Sequence, residues 1–210
     1  MGETSCSASG AVAELPPCLY VLTGFISHSN ITFLSIASPH PATKGDAMTV
    51  IDDLLENASA YAETFDKGEL PLPPARGIAV VACMDARLNP HALLGLEEGD
   101  AHVIRNAGGV ITDDEIRSLA ISQRLLGTQE IMLIHHAGCG MLTFKDDDLR
   151  RQIQDETGVK PEWAAEAFDD LDEDVRQSMA RIKASPFIPR KDKIRGFVYE
   201  VETGRVREVV

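Results

Sequence analysis

Three short stretches of the chain are almost unbroken in their apolar character: Ile78-Ala79-Val80-Val81-Ala82, Ala101-His102-Val103-Ile104 and Ile131-Met132-Leu133-Ile134. A strand with one face in water alternates polar and apolar residues. A continuous run of four or five belongs to a strand covered on both faces. Helical patterns separate the runs. From Thr49 to Phe65, Val50, Leu54, Leu55, Ala58, Tyr61 and Ala62 recur at helical spacing behind a Thr49 cap, and Leu72-Pro73-Pro74 breaks the pattern. Thr112-Asp113-Asp114-Glu115 reads as a capping box opening a helix to Leu126, with Gly127 closing it. Asp146, Asp147 and Asp148 suit the positive end of a further helix dipole, and Asp170 to Ala184 is helical up to Pro186. At the C-terminus, two strand-like segments flank Glu202-Thr203-Gly204-Arg205, which predicts a hairpin. Buried strands alternating with amphipathic helices define an α/β fold, a mainly parallel β-sheet flanked by helices on both faces. Sites in such sheets form at the carboxyl ends of strands.

A chain of 210 residues has room for one such domain. Residues 1–47 differ from the rest: they are rich in Ser, Ala, Gly and Pro and nearly free of charge. They read as a poorly ordered extension, with Met48 opening a natural start, so the domain is expected over residues 48–210. The formal charge of -13 argues against nucleic acid or an anionic membrane as partner, since both call for clustered Lys and Arg. A neutral small substrate fits better. Cys6, Cys18, Cys83 and Cys139 are too sparse for a disulfide scaffold. The apolar stretch from Leu19 to Ile36 is interrupted by Ser27, His28, Ser29 and Asn30, and no Lys or Arg precedes it. Neither a membrane span nor a secretory signal fits, and a cytoplasmic protein is expected.

The chemistry lies just past two of the strands. The first run leads into Cys83-Met84-Asp85-Ala86-Arg87, and the third into His135-His136-Ala137-Gly138-Cys139-Gly140. If the two strands are close in one sheet, Cys83, His136 and Cys139 converge. Two thiolates and an imidazole suit Zn2+, and three protein ligands leave a fourth position open, which distinguishes catalytic from structural zinc. Zinc lowers the pKa of bound water to about 7. Alternation along an extended segment puts Asp85 and Arg87 on the same side as Cys83. Asp85 can then accept a hydrogen bond from the hydroxide and orient it, while Arg87 pairs with Asp85 and keeps it ionised. Asp85 has a second available role, swinging onto the metal as a fourth ligand.

Cys-x-Asp-x-Arg followed some fifty residues later by His-x-x-Cys-Gly resembles the signature of the β-carbonic anhydrases. From about Met48 onward the chain is similar to short actinobacterial and mycobacterial-type members, which share its Arg105-Asn106-Ala107-Gly108-Gly109 stretch and its Arg117-Ser118-Leu119-Ala120-Ile121-Ser122 helix. The resemblance implies a zinc enzyme interconverting carbon dioxide and bicarbonate. Cys83, His136 and Cys139 would be the metal ligands, and Asp85 and Arg87 the catalytic dyad. It also implies a homodimer or homotetramer with the N-terminal helix wrapping the partner. Hydrolysis of carbonyl sulfide or carbon disulfide at the same zinc, or a non-catalytic zinc-binding role, are the alternatives. Among other residues, His135 is expected to face away from the ligands, and Asn106 to be structural. His91 and His102 are expected in loop or surface roles, and Met132 and Met141 in the core. Gly108 and Gly109 let backbone approach the substrate or simply make a turn, with the first favoured.

Overall fold

The structure is a computed structural model that describes residues 48–210. Cys6, Cys18 and the rest of the expected extension lie outside the described residues. By their contacts, Leu55–Val210 form one compact unit, and the sheet and the site belong entirely to it.

Helix α1 spans Val50–Glu63 and has no buried residue. At its start Thr49 and Asp52 bond reciprocally, the Thr49 hydroxyl accepting from the Asp52 amide and the Asp52 carboxylate accepting from the Thr49 amide. Strands β1 (Ile78–Cys83), β2 (Ala101–Asn106), β3 (Glu130–His136), β4 (Ile194–Glu200) and β5 (Arg205–Val209) form one sheet in the order β2-β1-β3-β4-β5. The first four are parallel and β5 returns antiparallel to β4, as the hairpin reading predicts.

The unbroken apolar character of β1 follows from its place in the sheet. Ala79 and Val81 face the core formed with Leu119 of α3 (Asp113–Leu125) and Ile182 of α5 (Leu171–Ala184). Val80 and Ala82 face a second core containing Leu88, Val110, Ile134, Met141 and Phe168. All four strand residues are fully buried. The covers of the two faces differ. Helices α3 and α5 pack on one. On the other lie Leu93 and Leu94 of the short α2 (Pro90–Leu94) and Met141 of the 3-10 turn Gly140–Leu142. Helix α5 approaches β4 so closely that a Cβ on Gly196 would stand 2.3 Å from Val175 Cγ1. Only glycine fits there.

The second run departs from its expectation. Strand β2 lies at the edge of the sheet, its residues are half-buried and Arg105 is exposed. A short run with few polar residues does not distinguish a central strand from an edge strand, because neighbours decide burial. The helix expectations hold: α3 begins with the Thr112–Glu115 capping box, α4 spans Asp146–Thr157, and Asp170 caps α5 by accepting from the Glu173 amide. The short α2 and the 3-10 turn have no periodic signal long enough to read.

The order of strands places the site. From β1 the chain moves to β2 on one side, and from β3 it moves to β4 on the other. Connections that leave two adjacent strands in opposite directions open a crevice at their carboxyl ends. Cys83 is the last residue of β1 and His136 the last of β3.

Candidate metal centre

Both strands deliver a candidate ligand at that crevice. Cys83 Sγ lies 3.2 Å from His136 Nε2 and 3.9 Å from Cys139 Sγ. The three ligand atoms all fall within 4.8 Å of one another, and all three residues are buried. Around a tetrahedral zinc with bonds near 2.3 Å to sulfur and 2.0 Å to nitrogen, two sulfurs stand about 3.8 Å apart and a sulfur and a nitrogen about 3.5 Å. The spacing fits that ion.

The protonation energetics fit as well. Cys83 is pulled below the usual thiol range, to about 4, first by the hydrogen bond from Cys139 and then by that from His136, against the cost of burial. Cys139 is pushed upward, first by its hydrogen bond to the Cys83 sulfur and then by burial. Burial works against a charged His136, but the Cys83 hydrogen bond and charge outweigh it and raise its pKa. One proton leaves the thiol pair easily and the second is held, because two thiolates side by side repel. A divalent cation between them removes that repulsion.

Asp85 and Arg87 stand beside this group. Arg87 binds Asp85 bidentately, Nε to Oδ1 at 2.9 Å and Nη2 to Oδ2 at 2.7 Å, and its main-chain N–H donates to Oδ1 at 2.9 Å. These bonds, led by the side-chain pair, hold the Asp85 carboxyl well below the usual carboxylate range. Asp85 Oδ2 lies 3.5 Å from His136 Nε2, so the carboxylate is turned toward the ligand atoms. Strand alternation is not what does this. Beyond Cys83 the chain turns, with Leu88 N bonded to Asp85 O at 3.0 Å, and the turn brings Asp85 and Arg87 together. Arg87 Nη2 also donates to Gly138 O at 3.2 Å, tying the first motif to the second.

The group opens into a cavity of about 360 Å³ walled by Met84, Ala107, Met141 and Phe144. A larger cleft of about 910 Å³ lies between the start of α3 and α5. Its Arg181 and Glu166 pair with each other, which leaves it without the site's chemistry. Gly109 has φ +75°, and a Cβ there would meet Cys83 N at 2.8 Å and Ile134 O at 3.1 Å. Its close approach is to the ends of β1 and β3, not to a substrate. Gly108 does line the cavity.

His135 points away from the ligands, as alternation predicts, and its Nε2 meets Asp174 Oδ2 of α5 at 2.7 Å. Asn106 donates from Nδ2 to Val110 O. His102 bonds Ser122 near the start of β2, about 13 Å along the strand from its site end, and His91 is exposed on α2. Neither reaches the metal group. Met141 is buried and Met132 packs against the same core. Sequence reasoning missed the local role of Arg105, whose guanidinium binds the turn that carries Asp85. Its place in a motif was the only signal.

A parallel sheet with a Cys-His-Cys group at its topological switch point, and an Asp-Arg pair aimed at it, defines a zinc-dependent enzyme class. The sequence profile of the carbonic anhydrase family matches residues 78–206. The chain is 61% identical over 162 residues to Beta-carbonic anhydrase 1 of Mycobacterium tuberculosis, covering 77% of this chain and 99% of that one. A carbonic anhydrase from Streptococcus mutans has a similar structure, with a TM-score of 0.73 and 43% identity, covering 79% of this chain and all of the other. A carbon disulfide hydrolase of Acidithiobacillus thiooxidans is 34% identical over 160 residues, covering 66% of this chain and 80% of its own. The chain belongs to the β-carbonic anhydrase family, whose members are zinc enzymes.

Proposed function

We propose that the protein catalyses the reversible hydration of carbon dioxide to bicarbonate and a proton. Cys83, His136 and Cys139 hold the zinc, Asp85 orients the attacking oxygen, and Arg87 fixes Asp85. The observation that carries this reading is the Asp85 carboxylate, bound on both oxygens by Arg87 and turned to within 3.5 Å of the His136 ligand atom. A metal held only for structure has no use for such a group.

Zinc, when bound, supplies a Lewis acid that lowers the pKa of water to about 7 and makes hydroxide available at neutral pH. Asp85, kept ionised by Arg87, accepts the O–H of the nucleophile and so turns its lone pair toward the substrate carbon. The walls formed by Met84, Ala107, Met141 and Phe144 suit a small, linear, uncharged molecule. As the carbon–oxygen bond forms, one C=O electron pair moves onto oxygen, giving bicarbonate, and one proton passes to buffer. Cys83, His136 and Cys139 would hold the metal, and Arg87, by binding both Asp85 oxygens, keeps that carboxylate for the nucleophile.

The reading extends to the rest of the molecule. The 162-residue match supports residues 48–210 as the catalytic domain. A homodimer or homotetramer is supported by α1, where Leu54, Leu55 and Tyr61 are more than half exposed, and by the edge of β2, which among the described strands pairs only with β1. A cytoplasmic location is supported by the two buried thiols, which must stay reduced to hold a metal. No helix among the described residues is long and apolar enough to cross a membrane.

Carbon disulfide is the second substrate to weigh, since several relatives are hydrolases of that molecule, but the higher identity to a carbonic anhydrase favours carbon dioxide. Stopped-flow hydration of CO2 and hydrolysis of CS2, measured on the same zinc-verified sample, separate them. Rapid CO2 hydration that disappears with the metal is the expected result. Turnover of CS2 alone would reassign the substrate, and turnover of neither would leave a binding role.

A further inference from the structure

We propose that Arg105 is a positioning residue for this reaction: it holds the turn from Cys83 to Leu88 in the shape that aims Asp85 at the metal centre. Arg105 lies near the end of edge strand β2, in register with Ala82. Its guanidinium gathers three main-chain carbonyls. Nε and Nη2 donate to Cys83 O at 3.0 and 2.7 Å, and Nη2 is shared with Asp85 O at 2.7 Å and Leu88 O at 2.8 Å. Among the described residues no carboxylate forms an ion pair with Arg105, and its Nε and Nη2 donate to these carbonyls.

The convergence suits a cation. Three carbonyl dipoles aimed at one point repel each other, and a cation among them offsets that repulsion; Asp85 O also accepts the Leu88 N–H of the turn at 3.0 Å. Arginine's planar, charged fork meets Cys83 O from two nitrogens at once while Nη2 also serves the other two carbonyls; lysine keeps the charge but has a single donor nitrogen on a shorter stem. Two of the three carbonyls belong to Cys83 and Asp85. Arg87 fixes the carboxylate of Asp85, whereas Arg105 fixes the backbone from which that carboxylate springs, relative to the ligand two residues earlier. Displacing a reacting group by about 1 Å costs on the order of 10²-fold in rate, so a backbone clamp at this point acts directly on turnover. The inference rests on the role given to Asp85 under the proposed function.

The test uses Arg105→Gln and Arg105→Lys, each alone and combined with Asp85→Asn, in the zinc-loaded full-length protein. Zinc stoichiometry, thermal midpoint and kcat/KM for CO2 hydration are read together. The expected result is full zinc with kcat/KM lowered roughly 10–100-fold in Arg105→Gln and by an intermediate factor in Arg105→Lys. In the Asp85→Asn background, Arg105→Gln costs no more than about threefold further, because residues acting through one another are not additive. Equal losses in both backgrounds, wild-type turnover, or loss of zinc from a folded variant would each overturn the proposal. If Arg105→Gln does not fold, Arg105→Lys decides: wild-type kcat/KM overturns the clamp, and a loss confined to the background with Asp85 intact supports it. Full activity of Asp85→Asn alone removes Asp85 from the reaction and the clamp with it. A normal Asp85→Asn loss beside an inert Arg105→Gln overturns the clamp only.

Discussion

Asp85→Asn keeps a full complement of zinc and lowers kcat/KM for CO2 hydration by roughly 10²-fold or more. The substitution preserves shape, so the turn and the three ligand residues stay as they are. It changes the chemistry of both oxygens that Arg87 now binds at 2.9 and 2.7 Å. An amide has one acceptor oxygen and one donor nitrogen. If the oxygen stays with Arg87 Nε, a donating NH2 faces both Arg87 Nη2 and the site where an acceptor is needed. If the amide flips, the NH2 opposes Arg87 Nε and its main-chain N–H instead, and the pair separates. Either way the attacking oxygen loses the partner that fixes its O–H. Metal analysis and stopped-flow hydration on the same sample check this. Unchanged turnover would remove Asp85 from the mechanism, and loss of zinc would make it a ligand instead.

Cys139→Ala removes one of three ligands and empties the site under conditions where the parent protein keeps its metal. Loss of a supporting hydrogen bond around a zinc typically weakens binding by about 10–100-fold. Loss of a thiolate ligand exceeds that, and on the order of 10³-fold or more is expected. The effect on the fold is smaller. Cys139 is buried in a core with Met141, Leu88 and Ile134, and alanine keeps an apolar side chain there. Competition with a chelator of known affinity gives the ratio, and a thermal scan of the metal-free proteins tests the fold separately. A variant that keeps its zinc against the chelator as well as the parent would exclude Cys139 from the ligand set.

Much of this was legible in the sequence because it is local or because burial writes itself into composition. The run Ile78–Ala82 reads as a central strand since both of its faces are covered, and the capping box at Thr112 and Glu115 is a short-range contact. The convergence of Cys83, His136 and Cys139 was legible because their spacing places them at or just past the ends of two strands, and the strands prove adjacent. What was not legible depends on long-range neighbours. Whether Ala101–Ile104 lies inside the sheet or at its edge is decided by what comes to lie beside it. The pairing of Asp85 with Arg87 was anticipated, but through strand alternation. The turn that produces it is stabilised by Arg105, 20 residues away from Asp85 in sequence. Gly109 shows the same limit: a glycine's tolerance of φ +75° is a local property, while the backbone of β1 and β3 pressing on it is not.

The proposed activity requires a zinc bound by three protein ligands with its fourth position open to the reaction. Zinc K-edge X-ray absorption on the purified protein at neutral pH reads that coordination directly. The expected result is two sulfur neighbours at about 2.3 Å and two light-atom neighbours at about 2.0–2.1 Å. One of the light atoms is the imidazole of His136 and the other is replaced when a small inhibitory anion is added. A shell of four protein ligands that no added anion disturbs would contradict it.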